Sequence, residues 1–141
     1  MPSRSTVRKA KQELRQGKRP TTAAGEFVHE EIEHVRRGKH GARSTKQAIA
    51  IGLSKARRAG VPLKPPGPGR TSTRTRRSAE RDYETGQGRR RPRAPSPRRS
   101  RANERRLERE GRSAASRSAL SRQAKQASRA RSRARSKSRS K

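Results

Sequence analysis

The chain of 141 residues contains no cysteine and no tryptophan, and its aromatic residues are Phe27 and Tyr83. Without cysteine, disulfide bonds and cysteine-ligated zinc sites are excluded. Apolar residues make up 23% of the sequence, and no apolar run approaches the roughly 18–20 residues that cross a bilayer. The N-terminal residues also lack the apolar core of a secretory signal. We therefore expect a cytoplasmic protein without a membrane segment.

Acidic residues are also scarce. Eleven of them accompany 42 lysines and arginines, so the formal net charge is +31. The span 34–79 contains no aspartate or glutamate. After residue 63 the only large apolar side chains are Tyr83, Leu107 and Leu120. Low hydrophobicity combined with high net charge is typical of disordered segments, because too little apolar surface is available to offset the loss of chain entropy.

This uneven composition predicts three segments. Residues 1–21 are expected to form a basic N-terminal arm with a marginal helix, 22–63 a helical hairpin, and 64–141 a disordered tail rich in Arg, Ser and Pro. The predicted fold class is thus small all-α, with two to three short helices followed by a long disordered basic tail. A hairpin of about forty residues is small for a stable core. We therefore expect it to dimerise through its apolar helix faces or to fold on a partner.

Two helices of the hairpin are indicated by apolar spacing and by capping residues. The first is predicted over about 22–37, where apolar residues recur three to four positions apart: Ala24, Phe27, Val28, Ile32 and Val35. The second begins at Ser44, because Ser44 and Gln47 form an S-x-x-Q capping box. Gly60 and Pro62 predict its end.

The segment HEEIEH, from His29 to His34, departs from the zinc motif H-E-x-x-H by one residue. Its histidines are five positions apart, which places them about 140° apart around a helix and on different faces. No third ligand is evident, so the sequence predicts no metal site. No catalytic constellation, phosphate-binding loop or cofactor motif is present, and we expect a protein that is not an enzyme and binds no small-molecule substrate.

The cations point to a nucleic-acid partner. Arg43 lies beside the free amides at the start of the second helix, which is a favourable anion site. In the tail, Ser96-Pro97-Arg98-Arg99 is similar to the S-P-basic-basic motif of linker-histone tails. The predicted phosphate-binding residues are Arg43, Lys46, Lys55, Arg57, Arg58, Arg89, Arg90, Arg91, Arg98, Arg99, Arg129, Arg131, Arg133 and Arg135.

The segment RSTKQAIAIGLSKARRAG, together with AAGEFVHEEIEHVRRGKHGA before it, resembles an uncharacterised family of small basic bacterial proteins, a domain of unknown function. The resemblance covers 22–63 and implies a bacterial, cytoplasmic setting. It does not extend to 64–141, which is similar only in composition to linker-histone and protamine tails.

The function predicted from these observations is sequence-independent binding and compaction of duplex DNA at the bacterial nucleoid. Phosphate contacts position a protein without reading bases, and aromatic stacking platforms for single strands are missing. Two alternatives stay open: an RNA-binding or ribosome-associated protein, and a protein-interaction module whose apolar stripe binds a partner while the tail anchors it to nucleic acid.

Overall fold

The computed structural model describes residues 2–140, and the regular structure within that range is helical. The helices are α1 (Arg4–Arg15), α2 (Pro20–Arg36), α3 (Thr45–Arg58), α4 (Thr73–Gly86), α5 (Pro97–Arg109) and α6 (Arg117–Arg139), with a 3₁₀ turn (Ser113–Ala115) before α6. The central pair is α2 and α3; α1 lies on α2, and α4 lies on α3. None of the helices over residues 2–140 has the length and apolar content to span a bilayer.

The start and end of α3 follow the sequence pattern. The Ser44 hydroxyl accepts a hydrogen bond from the Gln47 amide at 3.2 Å, which confirms the predicted cap. The Gln47 side chain accepts in turn from the Arg43 amide at 2.6 Å, one residue earlier than a standard capping box. Gly60 follows the helix with φ of 99°, a conformation that suits glycine after a helix C-terminus.

The contact between α2 and α3 is made by small residues. Ala48, Gly52 and Ala56 follow one another at four-residue spacing on α3, and all three are buried. A Cβ placed on Gly52 would lie only 2.7 Å from Cα of Val28. The backbones of the two helices therefore approach each other at a distance that no larger residue at position 52 allows.

The apolar interior consists of two clusters, one at each end of this helix pair. The first surrounds Phe27, which is 1% exposed, and includes Ala10 from α1 and Val61 from the segment after α3. The second surrounds Val35 and includes Ala42, Ala48 and the pair Ala114–Ala115. Because each cluster draws on different helices, α1 and the C-terminal half of the chain both contribute to the core.

The predicted disordered tail over 64–141 is wrong, and so is the fold class of two to three helices followed by a tail. That segment forms α4, α5, the 3₁₀ turn and α6, which brings the total to six α-helices within residues 2–140. The scarcity of large apolar residues predicted disorder, but the side chains that are buried in this segment are alanines. Ala79, Ala114 and Ala115 are at most 7% exposed.

Hydrogen bonds tie this C-terminal half to the helix pair. Thr45 Oγ1 donates to the Ala114 carbonyl at 2.6 Å, and Arg36 Nε donates to the Ala115 carbonyl at 2.9 Å. On α4, the Asp82 carboxylate accepts from the Ser54 hydroxyl at 2.6 Å. The helix starts are capped locally, since the hydroxyls of the residues preceding α4 and α6 accept from amides in the first turn: Ser72 and Ser116.

Gly52→Ala is expected to lower the free energy of unfolding by about 1–3 kcal/mol, because the new methyl group pushes α2 away from α3. Gly25→Ala is the matched control, since Gly25 also lies inside a helix but has open space at its Cβ position. The free energy of unfolding of the control is expected to rise by about 0.5–1 kcal/mol, because alanine has a higher helix propensity than glycine. Urea denaturation measures both, and equal effects would contradict the close packing at Gly52.

Candidate nucleic-acid interface

A groove of about 500 Å³ lies between the start of α3 and the first half of α6. Three cationic side chains line it: Arg43 and Lys46 at the α3 end, and Arg122 on α6. Among the residues that the structure describes, no acid lines this groove. The other lining residues are small or uncharged: Ser44, Thr45, Ser113, Ala114, Ser116, Ser118, Ala119, Gln123 and Gln126.

Two helix N-termini meet at this groove. The first intrahelical bond of α3 is donated by the Ala48 amide, and that of α6 by the Leu120 amide. The amides that precede them, such as those of Lys46 and Ser118, are therefore donors at the positive ends of the two helix dipoles. Anions bind favourably at such ends, and the three cations add full charges to the dipoles.

Helix α6 extends this basic surface. It contains nine lysines and arginines, no acidic residue and no buried residue. Its 23 residues correspond to a length of about 34 Å. Within residues 2–140, it packs on α3 and on the 3₁₀ turn and on no other helix.

The cations of α6 divide between two sides of the helix. At about 100° per residue, Arg122, Arg129, Arg133 and Lys137 fall within roughly a quarter of the circumference. Gln123 and Gln126, which line the groove, lie on or next to that same quarter. Arg117, Arg131, Arg135 and Arg139 lie on the opposite side, and Lys125 lies between the two sets. We call the first set the groove-side stripe and the second the outer stripe.

Two of the predicted phosphate-binding residues are used inside the fold. Lys55 lies half-buried, with its ammonium against the carboxylate of Glu31. Arg57 is 8% exposed and donates to the carbonyls of Leu63 at 3.0 Å and Lys64 at 3.4 Å. Burial lowers the pKa of Arg57, opposed by the nearby Asp82 carboxylate. Helix phase turns both side chains toward α2 and the segment after α3 instead of toward solvent.

The remaining predicted residues are exposed, but the structure does not bring all of them together. Arg58 is paired with Asp82 at 3.7 Å, and Arg90 with Glu84 at 3.6 Å. Arg98 and Arg99 lie in the first turn of α5, a helix without buried residues. Arg89 and Arg91 flank Arg90 in the segment that follows α4, and the tail arginines Arg129, Arg131, Arg133 and Arg135 are split between the two stripes of α6.

The sequence-based prediction did not include Arg122, and it did not divide the α6 cations between two faces of the helix. Arg122 lies apart from the dense Arg/Ser repeats, so charge density alone did not select it. The proximity of α6 to the start of α3 depends on the buried Ala114–Ala115 pair, about seventy residues away along the chain. The alanine and arginine content of 117–139 favours a helix. Projecting these residues around a helix at 100° per residue separates the cations into the two stripes.

A second group of polar residues lies between α2, α3 and the loop joining them. Glu31 is fully buried, and its Oε2 lies 3.1 Å from Nε2 of His40. Its Oε1 contacts the ammonium of Lys55 and lies 3.6 Å from Nδ1 of His34. His29, the first histidine of the HEEIEH segment, is exposed and takes no part.

The pKa values of His34, a member of this cluster, and of the neighbouring Glu30 are both lowered, but by different causes. Burial lowers the pKa of His34, and the positive charges of Lys39 and Lys55 lower it further, against the opposing effect of Glu31. Burial by itself would raise the pKa of Glu30. Hydrogen bonds from Ser3 and the nearby cations outweigh it together, so the pKa of Glu30 is lowered.

No protein-family model, no curated protein and no solved structure matches this chain. The family resemblance over 22–63 therefore stays a prediction, and the inference of function rests on the described residues.

Arg57→Gln is expected to reduce the free energy of unfolding by about 1–3 kcal/mol, because two carbonyls lose their charged donor. Its nucleic-acid affinity per folded molecule is expected to stay unchanged. Arg58→Gln, on the exposed neighbour, is expected to alter stability by at most about 0.5 kcal/mol. Urea denaturation combined with a binding titration checks both. A large loss of affinity in folded Arg57→Gln protein would contradict the structural role.

Glu31→Gln is expected to cost about 3 kcal/mol of unfolding free energy, because Lys55 and the two histidines lose the buried carboxylate between them. Lys55 keeps partial access to water, which places the effect at the low end for a broken buried pair. Glu33→Gln is the control: Glu33 pairs with Arg36 at the surface, and its loss should cost less than about 1 kcal/mol. Similar losses in the two variants would argue against a buried charge cluster.

Proposed function

We propose that this protein binds duplex DNA, largely without reading its sequence, through the α3–α6 groove and the groove-side stripe of α6. The observation that carries the proposal is the convergence of two helix N-termini and three cations in a groove that no acid lines among residues 2–140. Phosphate is the chemical group that complements such a surface. A location on the bacterial nucleoid would follow from this function and is part of the proposal.

The dimensions of α6 favour a duplex over an isolated phosphate. The groove-side stripe runs from Arg122 to Lys137, about 22 Å along α6, which corresponds to roughly two thirds of a helical turn of B-DNA. The side chains of such a stripe contact several successive phosphates of a nucleic-acid backbone instead of a single phosphate. Base recognition is not required, because arginines and lysines spaced along a backbone supply affinity without specificity.

This proposal differs from neutralisation by a disordered polycation. In a disordered chain every cation is equivalent, so affinity follows net charge alone. In a folded helix the groove-side and outer stripes face different directions, so equal losses of charge have unequal effects. The distinction is testable in the full chain, and truncation at residue 63 is unsuitable because the C-terminal half supplies part of the core.

The test compares two fourfold variants with the same loss of charge. One replaces the groove-side stripe with glutamine (Arg122, Arg129, Arg133 and Lys137), and the other replaces the outer stripe (Arg117, Arg131, Arg135 and Arg139). Binding to a labelled duplex of about 30 base pairs is measured by fluorescence anisotropy across a salt series. The groove-side variant is expected to reduce the slope of log K against log salt by about 3–4, and the outer variant by less than about 1.

Three outcomes would count against the proposal. Equal reductions in the two variants would indicate attraction by net charge, and no salt dependence in the wild type would remove phosphate contact altogether. An equimolar structured RNA that displaces the DNA completely would favour RNA as the ligand. Circular dichroism of both variants verifies that the helix content is unchanged.

A further inference from the structure

We propose that Glu31, His34 and His40 form a binding site for a divalent transition-metal ion of the zinc class. One ligand atom from each residue lies within 4.8 Å of the other two. The site is separate from the nucleic-acid groove and does not depend on the proposed function.

The spacing of the ligand atoms is close to that of a zinc site. Zinc bonds to His nitrogen and to carboxylate oxygen measure about 2.0–2.2 Å, which sets tetrahedral ligand atoms about 3.3–3.5 Å apart. Here the imidazoles approach different oxygens of Glu31: Nε2 of His40 lies 3.1 Å from Oε2, and Nδ1 of His34 lies 3.6 Å from Oε1. Because one ligand atom from each residue lies within 4.8 Å of the others, binding of a single ion requires only a small movement of the side chains. Two imidazoles and one carboxylate leave a fourth position for water or another ligand.

The outer nitrogen of each imidazole faces an acceptor. Nδ1 of His40 lies 2.9 Å from the Gly41 carbonyl, which only accepts, so this nitrogen donates. Nε2 of His34 lies 4.0 Å from the Glu30 carboxylate, which is beyond hydrogen-bond distance, so the hydrogen bond from the second nitrogen is present for His40 alone. Metal-ligating histidines characteristically donate their second N–H to a carbonyl or a carboxylate, which fixes the ring and its tautomer.

The hydrogen bonds of His40 leave its Nε2 facing a carboxylate. A neutral imidazole carries one N–H, and His40 directs that hydrogen at Gly41. The lone pair on Nε2 then faces the carboxylate of Glu31, itself fully buried, at 3.1 Å. Either a proton on Nε2 or a metal ion supplies the positive charge that these two facing atoms require, and the two compete for the same position.

Access from solvent is provided beside His34. A cleft of about 670 Å³ is lined by His34 and by three carboxylates, those of Glu26, Glu30 and Glu33. Lys9, Arg37 and Lys39 line the same cleft and balance these three acids, and Lys9 pairs with Glu26 at 3.0 Å. On a chain with a net charge of +31, the cleft is therefore a near-neutral opening rather than a strongly positive one.

Lys55 limits the affinity. Its ammonium contacts Oε1 of Glu31, while Oε2 faces His40. A metal ion held by Oε2 is repelled by that ammonium at close range. Removal of the Lys55 ammonium should therefore strengthen metal binding. If Lys55 had only a structural role and no metal bound here, its removal would not increase zinc affinity.

The experiment titrates the full-length, metal-free protein with zinc chloride and follows thermal unfolding. The wild type is expected to gain roughly 5–15 °C in Tm at a hundredfold excess over Kd. His40→Ala is expected to weaken zinc binding by more than about 100-fold, since a ligand is lost. His29→Ala, the matched control at the exposed histidine, is expected to bind as the wild type does. Lys55→Met is expected to bind at least about tenfold more tightly.

Cobalt(II) provides a second measurement that does not depend on any variant. A four-coordinate site gives the wild-type protein intense visible absorption bands, and zinc abolishes them by displacement. The proposal is overturned if zinc leaves the wild-type Tm unchanged, or if His29→Ala and His40→Ala lose affinity equally. Weak, octahedral-type cobalt absorption in the wild type would also overturn it, even if His40→Ala did not fold.

Discussion

The buried carboxylate of Glu31 is the interaction on which the arrangement of the helices depends. In a chain with 42 lysines and arginines, an acid with 0% exposure is costly unless cationic or donor groups surround it. Lys55 comes from α3 and His40 from the loop, so the carboxylate of α2 joins all three parts of the hairpin. Such a contact selects one register of α3 against α2, because a slip of one residue would leave Glu31 alone.

The other acids show how the fold separates charge. Glu26 pairs with Lys9, Glu33 with Arg36, and Asp82 accepts from Ser54 near Arg58. The Lys9–Glu26 pair joins α1 to α2, and the contacts of Asp82 join α4 to α3. The groove and α6 receive none of the acids, so their cations are left to interact with solvent or with a ligand. Net charge alone therefore describes this protein poorly, since the positive charge is concentrated where the fold places no acid.

The sequence predicted part of the helix arrangement and part of the candidate site. The helix predicted over 22–37 and the cap at Ser44 depend on local spacing, and both are present, although the Gln47 side chain accepts from Arg43 instead of Ser44. The close contact between α2 and α3 uses Ala48 and Gly52, because only small residues let the backbones approach, and apolar spacing does not select such residues. Arg43 and Lys46 were placed correctly at a helix start, but the second helix at that groove depends on alanine burial, which carries little sequence signal.

The folded state of α6 changes what its charge does. Nine like charges on one helix repel one another, and no acid on the helix offsets that repulsion. The N-terminal end is held by the 3₁₀ turn and α3, whereas the remainder depends on the helix propensity of alanine and arginine. A polyanion along the groove-side stripe would relieve the repulsion and stabilise the helix in the same step. Binding and helix stability are then linked, so conditions that screen phosphate contacts also change how much a ligand can stabilise α6.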